Sequence, residues 1–346
     1  FDGYSYGLYG TPTTRSLETR IAEIEGARRS ILVPSGLAAL THPLLALLKS
    51  GDSVLMADCV YGPTRNFALR NLAPNGIEVS FVAANAASIA EQLRPNTRLV
   101  VLESPGSLTM EIQDISVICK EAHAVDALVM VDNTWGFGAS QLFQHGVDIV
   151  STALSKYAGG HSDVCMGSMS VADESLYRKL KSFATGLGTG VSSDDAYLVL
   201  RGTETLELRL AEHARRGLLI STWLAEQPQV LQVRNPALPG DEYHSRFRKY
   251  FNSGNGLISV LLKESRLERL SAMLDGYRHF RIGASWGGTH SLVALADLRP
   301  ARTVAPLNHD AFIVRFHIGL EPIAALFEDL KQGLERLAQP TLQAAC

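Results

Sequence analysis

Short runs of Val, Ile, Leu and Met punctuate the first two-thirds of the chain: SVLMAD (53–58), EVSFVA (78–83), RLVVLES (98–104), ALVMVDN (127–133) and DIVSTALS (148–155). Between them lie segments with helical spacing, such as TRNFALRNLAPN (64–75) and ISVICKEAHAV (115–125), so strand and helix alternate. Near-continuous apolar strands separated by helical crossovers predict an α/β fold with a mostly parallel central sheet and helices on both faces. Ligands of such sheets bind where the carboxyl ends of the strands open. From about Thr203 the texture changes to a long amphipathic stretch, TLELRLAEHARRGLLISTWLAEQ (205–227), which reads as one helix bridging two units. A Pro/Gly connector (NPALPGDEY), an apolar strand (GNGLISVLLKE), helical segments and a closing strand and helix (FIVRFHIGLEP, IAALFEDLKQGLERLA) follow. They predict a smaller C-terminal α+β domain. No internal repeat or low-complexity tract interrupts the pattern.

Composition narrows the picture. With 346 residues, 46% hydrophobic and 19% charged, the chain is long enough for two domains and a sizeable core. The balance of 32 basic against 35 acidic residues, without like-charge runs, gives no surface suited to nucleic acid or to an anionic membrane. No apolar run approaches the roughly 20 residues that span a bilayer, and no leader pattern opens the chain; the expectation is a cytoplasmic protein. The chain starts at Phe1, in the Gly/Tyr-rich stretch FDGYSYGLYG and without methionine, which leaves room for a segment ahead of it. Cys59, Cys119, Cys165 and Cys346 are far apart and form no C-x-x-C, so they are read as reduced, mostly packing residues. The histidines show no metal-ligand spacing, and no metal site is expected.

Polar residues where apolar runs end change the picture most. Glu103, Asp132, Ser155 and Lys156 each stand at the end of such a run. A carboxylate or ammonium buried there without a partner costs several kcal/mol, which a shared site at the sheet's carboxyl edge would offset. Neighbouring strands lie about 5 Å apart, so Asp132 and Lys156 are placed to face one small ring, with a structural ion pair as the other reading. In LVPSGLAALTHPLLALL (32–48) a Ser-Gly pair opens an apolar helix. Amides at a helix start suit an anion, and glycine allows close approach; the same pair is also an ordinary cap. Lysine, acid and anion site together describe a phosphorylated, protonatable ring carrying an aldehyde: pyridoxal phosphate, held through an imine.

The motifs that carry this chemistry resemble those of the fold-type I pyridoxal-phosphate enzymes of cysteine and methionine metabolism. The similarity runs from YGLYGTPT through LVPSGLAAL, VLESPGSLTMEI, VDNTWGFG, ALSKYAGGHSD, LRGTETL and NPALPG to ASWGGTHSL and VRFHIGLEP, essentially the whole chain. ESPGS followed by the lysine motif is closer to the β-lyases of the family than to its synthases and γ-lyases. The resemblance implies that Lys156 carries the cofactor and that Asp132 keeps its ring nitrogen protonated. It implies that Tyr61 stacks on the ring and that Gly36, the Leu37 amide and Ser155 hold the phosphate. It further places Arg315 on the substrate carboxylate, Ser285 and Trp286 in the substrate pocket, and Tyr6 in a neighbouring subunit's site. Residues 1–10 are then the remnant of an arm, 11–205 the cofactor domain, and 206–346 the linking helix with the C-terminal domain.

The implied reaction is β-elimination of L-cystathionine, an amino-acid thioether, to homocysteine, pyruvate and ammonia, as in methionine biosynthesis, by a homo-oligomer built as a dimer of dimers. The alternatives are γ-synthase, γ-lyase or sulfhydrylase chemistry, a broad cysteine-S-conjugate β-lyase, and a silent binding protein of the same fold. One departure bears on substrate: Leu8 and Tyr9 stand where the family often has arginines.

Overall fold

The computed structural model describes residues 3–299, 302–304 and 312–338; Phe1 and Cys346 lie outside the described residues. Seven strands form the larger sheet: β1 (Arg29–Val33), β2 (Ser53–Ala57), β3 (Glu78–Val82), β4 (Thr97–Glu103), β5 (Leu128–Asp132), β6 (Ile149–Ala153) and β7 (Gly167–Val171). Their order is β1-β7-β6-β5-β4-β2-β3. Neighbours from β6 to β3 run parallel, and β7 is antiparallel to both β6 and β1. The five apolar runs are thus β2 to β6, as their pattern predicts, although β6 stops at Ala153 and Lys156 stands on the turn after it.

Three helices prepare the site. Helix α1 (Pro12–Glu25) starts on a capping box between Thr11 and Thr14 with proline at its first turn, and ends on Gly26 at φ 68°. Helix α2 (Gly36–Leu47) is capped by Ser35, whose hydroxyl accepts from Ala38 N at 3.0 Å. Helix α3 (Gly62–Phe67) begins just after Tyr61. Adjacent residues of β6 reach opposite faces: Ser151 donates to Ala39 O on α2, and Thr152 donates to Glu25 on α1. The two helices therefore cover opposite sides of the sheet.

Crossovers continue through α4 (Ile115–His123), α5 (Glu174–Gly186) and α6 (Ser193–Thr203) to the amphipathic helix α7 (Leu206–Ala225). Leu206 and Leu210 pack in a core with Leu17, Phe137 and Tyr157, whereas Ile220 and Leu224 belong to a separate core with Val314 and Leu330. Beyond α7 come β8 (Val230–Arg234), α8 (His244–Tyr250), β9 (Leu257–Leu262), α9 (Leu267–Asp275), β10 (Arg281–Ile282), β11 (Leu292–Asp297), β12 (Phe312–His317) and α10 (Ile323–Ala338). The second sheet is ordered β10-β11-β12-β9-β8. The segment after α9, expected to be helical, is instead strand: LVALAD lies as β11 between β10 and β12. Among the described residues no helix is long and apolar enough to cross a membrane.

Candidate active site

A cavity of ≈ 250 Å³ opens at the carboxyl edge of the larger sheet, lined among others by Gly36, Tyr61, Asp132, Lys156, Trp286 and Arg315. That is just under the ~300 Å³ from which small-molecule sites commonly start. Three larger grooves, of ≈ 320, ≈ 440 and ≈ 470 Å³, have no lysine in their lining.

Backbone packing decides who meets there. A Cβ on Gly36 would stand 2.4 Å from the Ala153 Cβ, so glycine is what lets the start of α2 rest on the end of β6. The structural reason for Gly36 is this close approach, which brings the first-turn amides of Gly36 and Leu37 to the cavity. Gly287 works similarly from the other domain: its φ is +86°, and a Cβ there would lie 2.8 Å from the Tyr157 amide nitrogen and the Lys156 carbonyl carbon. The 284–288 turn can therefore press against Lys156.

Lys156 Nζ donates to Ser285 Oγ at 2.8 Å and lies 5.9 Å from the Trp286 ring centre. Burial lowers its proton affinity below the usual amine range, Arg315 lowers it further, and Cys165 and Asp132 oppose the change. Asp132, the last residue of β5, is 7% exposed. Both Thr134 donors, the amide at 3.0 Å and the hydroxyl at 2.6 Å, go to its Oδ1. Burial raises its carboxyl above the usual range, offset by the Thr134 bonds and by Lys156. A cationic partner delivered to this carboxylate would remove that penalty.

Arg315 comes from β12 and is buried, yet among the described residues its guanidinium bonds main-chain oxygens alone: Ser107 O at 3.2 Å and Ala284 O at 2.5 Å. Donors of this geometry suit a bidentate carboxylate. Tyr61 is 43% exposed at the lip. Burial, then the charges of Asp132 and Glu103, raise its phenol, so it stays protonated at neutral pH. Its amide donates to Glu103 Oε2 at 2.5 Å. Glu103 lies beside Asp132 in register; burial first, then Asp132, push its carboxyl well up.

The structure thus brings together Lys156, Asp132, Tyr61, Gly36, Leu37, Ser155, Ser285, Trp286 and Arg315. Tyr6 does not join them: it is 65% exposed and meets Tyr9 edge-on at 5.9 Å between ring centres. Leu8 is half-buried near Gly190, in a groove with Thr14, Lys181 and Thr189. The reading of the cysteines as packing residues holds for buried Cys59 and Cys119, but Cys165 is exposed and lines the cavity. The turn after β6 leaves it at the cavity wall, where its neighbour Lys156 needs room. Thr134 was the unread partner; the D-x-T spacing, which lets a hydroxyl bond back to the aspartate, is its signal in the sequence.

A half-buried lysine with a weakened hold on its proton, an acid short of a cation and an arginine short of a carboxylate define a class: enzymes that carry an aldehyde cofactor on lysine and act on amino acids. The donor set fits pyridoxal phosphate, with a helix start for phosphate and Asp132 for the ring nitrogen. The chain belongs to the Cys/Met metabolism PLP-dependent enzymes, whose family profile matches residues 1–335. It is 37% identical over 340 residues to the cystathionine beta-lyase MetC of Escherichia coli, covering 96% of this chain and 86% of that one. Against the cystathionine beta-lyase of Salmonella typhimurium it is 38% identical over 343 residues, with the same coverage of 96% and 86%. The crystal structure of cystathionine gamma synthase from Xanthomonas oryzae, in complex with cystathionine, superposes with a TM-score of 0.90 at 29% identity, over 97% of this chain and 90% of that chain.

Proposed function

We propose that this enzyme is a carbon–sulfur lyase that cleaves L-cystathionine by β-elimination. The observation that carries the reading is Arg315: a buried guanidinium that bonds only carbonyls among the described residues, in the same cavity as Lys156, is a seat for an amino-acid carboxylate. Bound pyridoxal phosphate supplies a protonated ring that draws negative charge away from the substrate Cα. Lys156 would hold the cofactor, and its amine would take the Cα proton and return a proton to the departing sulfur. Asp132, fixed by Thr134, holds the ring-nitrogen proton. The Gly36 and Leu37 amides and Ser155 bind the phosphate, and Tyr61 covers the ring as a neutral phenol. Arg315 orients the carboxylate, and Ser285 and Trp286 line the side of the cavity where Lys156 moves. Overall, cystathionine and water give homocysteine, pyruvate and ammonia.

The β-lyase relatives and the ESPGS motif support β- over γ-elimination, while the gamma synthase likeness keeps the γ route as the second reading. Incubation with cystathionine separates the two: pyruvate supports β-elimination, and 2-oxobutyrate as the main keto acid overturns it. Borohydride reduction followed by peptide mapping should place a pyridoxyl label on Lys156. The reading further includes a cytoplasmic homo-oligomer, a dimer of dimers in which Tyr6 serves a neighbouring subunit. The cofactor domain is assigned to 11–205, and the linking helix with the C-terminal domain to 206–346.

A further inference from the structure

Glu25, the last residue of α1, is a buried carboxyl with no cation beside it among the described residues. It is 2% exposed. It accepts from the Thr152 hydroxyl of β6 at 2.6 Å and from the Ser170 hydroxyl of β7, which itself lies 3.2 Å from the Ser30 hydroxyl of β1. Asn133, which follows β5, is its third hydrogen-bonding partner, and Asp132 on β5 is the charged group that acts on it. An isolated ion costs several kcal/mol in such a place; a carboxyl needed merely to fill space is better replaced by an apolar residue.

Two routes tie this carboxyl to the cofactor acid. Asn133 is covalently next to Asp132. On the other route, Thr152 holds Glu25 while the next amide, Ala153 N–H, donates to Thr134 Oγ1 at 2.9 Å, and that hydroxyl donates to Asp132 Oδ1 at 2.6 Å. Thr152 and Asp132 point to opposite faces of the sheet, since Asp132 is paired in register with Ser151.

We propose that Glu25 is a positioning residue that strengthens the hold of Asp132 on the ring-nitrogen proton from behind the sheet. The inference rests on the cofactor reading above. Negative charge on Glu25 favours positive charge at the Asp132 end of the cavity, and cofactor binding there in turn eases ionisation of Glu25. Burial pushes the Glu25 carboxyl up to about 7; bonds from Ser170, Thr152 and Asn133 hold it back, and Asp132 adds to the rise. The carboxyl therefore changes charge near neutral pH.

The test is affinity of the full chain for pyridoxal phosphate by equilibrium dialysis between about pH 5.5 and 8.5, for wild type, Glu25→Gln and Thr152→Val. Wild-type affinity gains about five-fold as pH rises through the Glu25 range. Glu25→Gln matches wild type at the acid end and lacks the gain. Thr152→Val loses a donor to the ionised form, so its inflection moves to higher pH. Lys156 and the ligand phosphate titrate in all three proteins and cancel in the comparison. Parallel curves with intact binding overturn this inference alone; a wild-type chain that does not bind pyridoxal phosphate overturns it together with the cofactor reading. If Glu25→Gln does not fold, Thr152→Val decides: a displaced inflection supports the role, and coincidence with wild type overturns it.

Discussion

Lys156 owes its chemistry to neighbours that do not neutralise it. Its one hydrogen bond among the described residues goes to the Ser285 hydroxyl, and burial and Arg315 favour the free amine, which is the form that attacks an aldehyde. Lys156→Ala removes that nucleophile but deletes no packed core atom, so turnover should vanish while the circular dichroism spectrum and melting temperature stay near wild type. Retained keto-acid production would assign the amine elsewhere. Lys156, Asp132 and Arg315 were legible because each is a charge set in an apolar run, where burial demands a reason. Thr134, Cys165 and Glu25 were not, because their environment comes from chain crossings that no local pattern announces. A threonine and a cysteine carry no charge to stand out, and Glu25 sits at the end of an amphipathic helix, where a glutamate reads as solvated.

At the scale of elements, the site depends on α2 resting on β6. Gly36→Ala sets a methyl 2.4 Å from Ala153 Cβ, and overpacking of this kind costs about 1–3 kcal/mol. Chemical denaturation should register that loss together with weaker retention of pyridoxal phosphate. A second joint ties the C-terminal domain to the end of β2. Asp58 accepts from Arg65 at 2.8 Å, from the Thr303 amide and hydroxyl at 2.8 and 3.0 Å, and from the Val304 amide at 3.0 Å. Asp58→Asn strips charge from a buried cluster and should destabilise the fold by about 3 kcal/mol, measured by urea unfolding. The parallel strands were legible as apolar runs. Strand β7 (GSMSV) was not, since Ser168 and Ser170 are buried hydroxyls, Ser170 being satisfied by Glu25 of α1. Strand β11 is half-buried and mixes its pattern, which hid it.

For the molecule as a whole, the two cores meet around Tyr157, whose ring lies 5.4 Å from His213 of α7, 5.5 Å from Trp286 and 6.1 Å from His317 of β12. Burial lowers His213 to about 4 and His317 to about 3. Both are then neutral in the fold and protonate more readily in the unfolded chain. Their contribution is full above the unfolded value near 6.5 and is lost as pH falls toward the folded values, by roughly 3 kcal/mol each near pH 4. Glu25 works in the opposite direction between about 7 and its unfolded value, because the fold favours its protonated form. Melting temperatures of wild type and His317→Gln should therefore converge as pH falls from 6.5 toward 4; a constant gap would remove the histidine from the acid response.

Cys165 shares its chamber with Lys156, and this governs how the activity should be counted. Aromatic disulfide reagents, the usual colorimetric meter for liberated homocysteine, will also derivatise a protein sulfhydryl at the cavity wall, adding a false signal and plugging the entrance as they do so. A continuous readout should follow pyruvate through a coupled dehydrogenase instead.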